Sequence, residues 1–140
     1  MPQQTMLMIK PDAVERNLCG KILARLESER FQVRRLKMIH LQPAEAQRFY
    51  AVHEGKPFLE NLVAYMSSGP ICAAVLERED AVSHLRRVVG ATDPGEAETG
   101  TIRRDFGIDK TRNAVHASDA PETAAAEIGF FGLTLDREER

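Results

Sequence analysis

Residues 71–76, ICAAVL, form an unbroken apolar run that follows a Ser68-Gly69-Pro70 break and gives way to Glu77 and Arg78. The run is short for a helix and lacks the alternation of a strand with one wet face. It fits a strand covered on both sides. A chain with such a strand must supply an apolar layer above it and another below. That demand governs how the rest of the sequence is read.

Residues 5–9, TMLMI, are a second run of strand length, stopped by Lys10-Pro11-Asp12. Residues 31–41 contain no Gly or Pro and carry Val33, Leu36, Met38, Ile39 and Leu41, which predicts a further strand. Residues 114–116 form a short last one. Between these runs the apolar positions recur at helical spacing. They are Ile22, Leu23 and Leu26 after Gly20, then Ala46, Phe49 and Tyr50 after Pro43. Leu59, Leu62, Val63 and Met66 follow Gly55-Lys56-Pro57, and Ala81, Val82, Leu85, Val88 and Val89 follow the central run. Asp119 with Glu122 predicts a capping box for a final helix that buries Ala124, Ala125, Ile128 and Phe131. Residues 90–112 show no period and read as one long loop, a length that usually marks function or disorder. The order β-α-β-α-α-β-α-loop-β-α predicts an α+β fold. It is a ferredoxin-like split-βαβ, with a four-stranded antiparallel sheet and helices packed on it.

The chain has 140 residues, which fits a single domain over 1–140 with a core of its own. A formal net charge of -2 argues against a nucleic-acid or anionic-membrane surface as the primary partner. It leaves room for a small phosphate ligand. The start, MPQQT, has no basic region or long apolar run, and no apolar stretch is long enough for a membrane span, so a cytoplasmic protein is expected. Cys19 and Cys72 read as buried free thiols. His40, His53, His84 and His116 lack metal-ligand spacing. Gly95 and Gly100 are not followed by Lys and Ser or Thr, so they do not make a P-loop.

The residue that promises chemistry is His116, in NAVHASDA at 113–120. Small neighbours leave its ring accessible, and a helix is expected to begin just after it. A helix N-terminus suits an anion and disfavours a charged imidazole. A neutral imidazole beside phosphate is a competent nucleophile, provided an acceptor holds its other nitrogen. Glu127 is available for that in the final helix. Lys10 at the end of the first strand, Arg86 and Arg103 are candidate phosphate cations. Tyr50 and Phe58 flank Gly55-Lys56-Pro57, where an aromatic near a rim can stack on a base.

Together these stretches resemble the nucleoside diphosphate kinase family. Asn113, His116, Ala117, Ser118, Asp119 and Ala120 match its N-x-x-H-[small]-S-D-[small] signature. IKPDAV at 9–14, HEGKPF at 53–58, SGP at 68–70, GATDP at 90–94 and GTIRRDF at 100–106 resemble family stretches in the same order. The resemblance implies a ping-pong transfer in which His116 takes the γ-phosphate of a nucleoside triphosphate and passes it to a nucleoside diphosphate. It implies that Lys10 binds phosphate oxygens and the ribose hydroxyl, and that Tyr50, Arg86, Thr92 and Arg103 surround the phosphates. Asn113 would hold the sugar, Phe58 would stack on the base, Leu62 would line that wall, and Ser118 and Glu127 would orient His116. Mg²⁺ would arrive on the nucleotide phosphates, with no protein cage of its own. The implied assembly is a homo-oligomer, tetramer or hexamer, and the short LTLDREER end leaves a dimer open as well. Ala117 stands where the family most often has Gly, and its methyl is expected to crowd the nucleophile. Two other readings remain: a nucleotide-binding module on the same sheet without the chemistry, and a phosphocarrier charged by another protein.

Overall fold

The computed structural model describes residues 2–136; Met1 and the end of the LTLDREER tail lie outside them. Four strands, β1 (Pro2–Ile9), β2 (Gln32–Ile39), β3 (Ile71–Glu79) and β4 (Val115–Ala117), form one sheet in the order β2-β3-β1-β4. Every neighbouring pair is antiparallel. This is the expected ferredoxin-like α+β sheet. The ICAAVL run occupies an inner strand, between β2 and β1.

Strand alternation divides the apolar residues between two cores. Leu7, Ile9, Cys72, Ala74, Leu76, Val115 and Ala117 face one side. There they meet Ile22 and Leu26 of α2 (Cys19–Ser28) and Ala81, Leu85 and Val89 of α5 (Ala81–Val89). Met6, Met8, Ile71, Ala73 and Val75 face the other side. They pack on Ala46 of α3 (Pro43–Phe49), Met66 of α4 (Leu59–Met66) and Ile128 of α7 (Pro121–Phe130). A strand with wet alternate positions could not serve both layers, which is why the inner strands are apolar over residues 6–9 and 71–76.

The structure departs from the expectation at several places. Lys10-Pro11-Asp12 does not simply end β1. Pro11 starts a short helix, α1 (Pro11–Glu15), where a fixed φ suits the first helical position. The loop at 90–112 contains one more helical piece, α6 (Ile102–Phe106), capped by the Thr101 hydroxyl, which accepts from the Arg104 N–H at 3.3 Å. It buries only Ile102 and Arg103, too few positions to show a period. Gly90 sits at φ +90°, and a Cβ there would meet the Thr101 side chain at 2.6 Å. The close approach of Gly90 and Thr101 folds this loop back on α5.

The capping box expected from Asp119 and Glu122 does not form. Pro121 fixes the start of α7 and Ala120 is the N-cap, without a side-chain cap. Ala125 is exposed, while Ala124, Ile128 and Phe131 are buried as expected. Cys72 is buried, and burial raises its thiol to about 11, whereas Cys19 is only half-buried. Among the described residues no helix is long and apolar enough to cross a membrane.

Candidate active site

Alternation along β4 decides where His116 points. Val115 and Ala117 belong to the core under α2 and α5, so the imidazole between them turns to the opposite face, across from Met8. The chain reaches that position through Ala114, held at φ 76°, a left-handed conformation that an alanine rarely adopts. Such a residue persists only if its surroundings over-determine it. Here the Ala114 N–H donates to the Asp12 carboxylate at 3.1 Å, and its carbonyl accepts from the Lys10 N–H at 2.9 Å. Asp12 is buried and also accepts from the Arg16 guanidinium at 3.1 Å and from the Tyr65 hydroxyl. Burial, then the hydrogen bond to Asp12, raises the Tyr65 phenol above its ordinary value, so it remains a donor. A buried carboxylate bridging α1, α4 and the residue that leads into β4 thus fixes the approach to the histidine.

The ring itself is held from one side. His116 Nε2 lies 2.9 and 3.0 Å from the two oxygens of Glu127 on α7, and the buried Ser118 hydroxyl donates to Oε1 of the same carboxylate at 2.6 Å. A carboxylate can only accept, so Nε2 carries a proton and, in the neutral ring, Nδ1 keeps its lone pair, with no hydrogen-bond partner among the described residues. Phe49 packs edge-on to the ring at 5.5 Å and Tyr50 at 6.4 Å. They restrict its rotation without competing for Nδ1.

Opposite stand the cations. Lys10 is buried, its Nζ donating to the Thr111 carbonyl at 2.6 Å and to Asn113 Oδ1 at 2.9 Å. Burial above all, together with Arg103, lowers its pKa to about 8. Arg103 is 6% exposed and donates to the carbonyls of Gly90 at 3.1 Å and Val115 at 2.9 Å. Its Nε is buried with no hydrogen-bond partner among the described residues, and burial followed by Arg86 brings the guanidinium down to about 10. Arg86 reaches the Ala117 carbonyl at 3.3 Å from the exposed face of α5. Two desolvated cations and an exposed one therefore look into one space, where a phosphate meets less screening than in water. That space is a cavity of about 830 Å³, lined by His116, Glu127, Lys10, Arg86, Arg103 and, towards its outer end, Phe58.

Residues 3–134 match the family model described as nucleoside diphosphate kinase. The chain belongs to the nucleoside diphosphate kinase family. Its reaction is the transfer of phosphate between nucleotides, and it is a transferase. It is 50% identical over 136 residues to the nucleoside diphosphate kinase of Nitratidesulfovibrio vulgaris Hildenborough, covering 97% of this chain and 98% of that one. It is 54% identical over 129 residues to that of Sorangium cellulosum, covering 92% and 90%. The Aquifex aeolicus nucleoside diphosphate kinase structure superposes with a TM-score of 0.92 at 46% identity over 99% of both chains. The apo structure from Encephalitozoon cuniculi gives 0.91 at 34% identity over 94% of this chain and 90% of that one.

Of the family positions matched in the sequence, Lys10, Tyr50, Phe58, Leu62, Arg86, Thr92, Arg103, Asn113, His116 and Glu127 all line this one cavity. Ser118 does not; it is buried behind Glu127 and acts on the ring only through that carboxylate. Asn113 is more committed than expected. Its amide donates to the carbonyls of Thr92 and Lys110, both at 3.0 Å, and its oxygen accepts from Lys10, so one acceptor lone pair is left for a ligand. Pro121 removes a free N–H from the start of α7 and Glu122 adds an acid to its first turn, so side-chain cations, not the helix end, make the cavity attractive to anions. Ala117 belongs to the core on the other side of the sheet and is also among the residues lining the cavity. Sequence reasoning missed Asp12 and Tyr65, whose partnership spans 53 positions along the chain. It also missed Asn61, His53 and Thr111 as lining residues. The available signal was helical spacing, since Asn61 and Tyr65 lie three and seven positions after Phe58.

Proposed function

We propose that phosphate transfer runs here as a ping-pong relay through His116. The observation that carries this reading is the Glu127 carboxylate on Nε2, which leaves Nδ1 as the free nitrogen of a ring that lines a cationic cavity. In the first half-reaction the Nδ1 lone pair attacks the γ-phosphorus. The bond from that phosphorus to the bridging oxygen breaks, and the nucleoside diphosphate leaves with the electron pair. In the second, a terminal oxygen of a bound diphosphate attacks the phosphohistidine, the N–P bond breaks, and the imidazole recovers its lone pair. Lys10, Arg86 and Arg103 neutralise the charge that accumulates on the transferring oxygens, and positioning supplies most of the rest.

Lys10 has one N–H left after Thr111 and Asn113, and this reading gives it to a phosphate oxygen or the ribose. Tyr50 and Thr92 border the phosphates, the remaining lone pair of Asn113 receives a sugar hydroxyl, Phe58 stacks on the base and Leu62 walls it. Stacking on a base face tolerates any base, which suits broad nucleotide use. Among the described residues no group of His, Cys, Asp and Glu is arranged to hold a metal ion. Glu127 is engaged by His116 and Ser118, leaving the exposed Asp119 as the lining carboxylate for metal-bound water. That donor set fits Mg²⁺ brought in on the phosphates, where it would neutralise charge and orient the leaving group. The reading extends to a single domain over residues 1–140 in a cytoplasmic homo-oligomer, tetramer or hexamer. Leu36 and Met38 on the edge strand β2, 53% and 55% exposed, favour such self-association.

The test is label transfer. Protein mixed with ATP labelled at the γ-phosphate should acquire acid-labile, base-stable label that added GDP discharges. His116→Ala should take none while still binding nucleotide. Turnover by that variant would end the relay, and nucleotide binding without any label on the wild type would favour a binding module.

A further inference from the structure

Around Phe58 the cavity contains a polar side chain with no task yet. Phe58 precedes α4, and helical spacing sets Asn61 and Leu62 on the same face, where all three line the cavity. Leu62 offers only contact area. Asn61 is exposed and its amide makes no hydrogen bond among the described residues. Asn113, the other asparagine of the cavity, has both amide protons and one lone pair engaged.

We propose that the Asn61 amide hydrogen-bonds the edge of the nucleobase that stacks on Phe58. The proposal rests on the nucleotide reading of the cavity and names a contact within it. Adenine and cytosine present an exocyclic amino donor beside a ring-nitrogen acceptor, while guanine and uracil present a carbonyl acceptor beside a ring N–H. A primary amide carries a donor and an acceptor side by side, and a half-turn about its last torsion matches either order. A carboxylate could serve only donors, and an aliphatic side chain neither. Asn61 therefore adds affinity for each base without choosing among them. Because the base edge does not change during phosphate transfer, the contact is equal in ground and transition states and acts on half-saturation, not on the limiting rate.

The experiment measures phosphorylation of the protein in single turnovers, by ATP, GTP and ribose 5-triphosphate, which has no base. Asn61→Leu should raise the half-saturating concentration of ATP and of GTP by between about twofold and tenfold, the range for one neutral hydrogen bond. Its limiting rate should be unchanged, ribose 5-triphosphate should be unaffected, and Asn61→Gln should recover part of the loss. An equal loss with ribose 5-triphosphate would mean that the substitution disturbs the cavity as a whole and would overturn the contact. So would unchanged constants for ATP and GTP, or a change confined to one of them. A wild type that takes no phosphate from ATP would sink the phosphotransfer reading itself, a result distinct from all of these.

Discussion

The two ends of the cavity are built differently. At the end proposed for the phosphates Lys10, Arg103 and Asn113 are all buried, and each is tied to the backbone or to another side chain, as is Ser118 behind Glu127. At the end proposed for the base Phe58 is 47% exposed, and what backs it is the His53 ring, edge-on at 5.1 Å. Charge needs fixed geometry, because the electrostatic gain is lost once water can reorganise around it. Stacking needs only an accessible flat surface. On the proposed reading the chain thus concentrates its polar burial where charge moves, and leaves the base to exposed groups, the Phe58 ring and the Asn61 amide. On this view, substitutions at the phosphate end should lower kcat, and those at the base end should raise KM alone.

The largest test of that division is Arg103→Ala. It removes a desolvated cation and also leaves the Gly90 and Val115 carbonyls without their donor. By the scale of a lost transition-state donor, kcat should fall by about a hundredfold to a thousandfold, and Lys10→Ala should behave alike. Steady-state kinetics with a nucleotide pair decides it. A rise in KM at constant kcat in either variant would break the comparison.

A smaller effect follows from the acidity of Lys10, lowered by burial to about 8. A lysine loses its charge as pH rises through its pKa, so the falling limb belongs on the alkaline side. In the free enzyme kcat/KM should decline by about tenfold per pH unit above that value. Bound phosphate favours the charged ammonium, so the matching limb in kcat should sit at higher pH. A kcat/KM profile that stays flat to pH 10 would remove Lys10 from this part.

How much of the two ends could be read in the sequence differs in the same way. The ICAAVL strand, the helical faces over Leu85 and Ile22, and the motif residues were legible, because local pattern and resemblance record them. The lock of Asp12 on Tyr65 and Ala114 was not, since it joins α1, α4 and the lead-in to β4 through contacts far apart in the chain. Helices α1 and α6 escaped notice because a single turn is too short to show a period. The capping box failed because Pro121 outweighed Asp119, a competition between adjacent signals that pattern alone does not rank.

At the base end, Phe58→Ala removes the stacking surface. Base stacking on an aromatic is worth about 1–3 kcal/mol by alanine substitution, and the exposure of Phe58 sets the lower part of that range. KM should rise about tenfold for purine nucleotides at unchanged kcat. A fall in kcat as large as that of Arg103→Ala would show that the base end also positions the phosphates, and the division would fail.

The smallest effect belongs to Ala117, which follows the nucleophile and lines the same cavity but packs into the core behind the sheet. Its methyl packs with Leu7, Val115 and the helices on the far face of the sheet, and its carbonyl receives Arg86. Ala117→Gly should therefore leave kcat within about twofold. It should cost stability by about 1.5 kcal/mol, the usual penalty of Gly within regular structure plus a lost buried methyl. Thermal unfolding beside steady-state rates separates the two. If Gly accelerated the reaction by tenfold, the methyl would be crowding His116 after all, and strand alternation would not be what isolates the nucleophile from the core behind it.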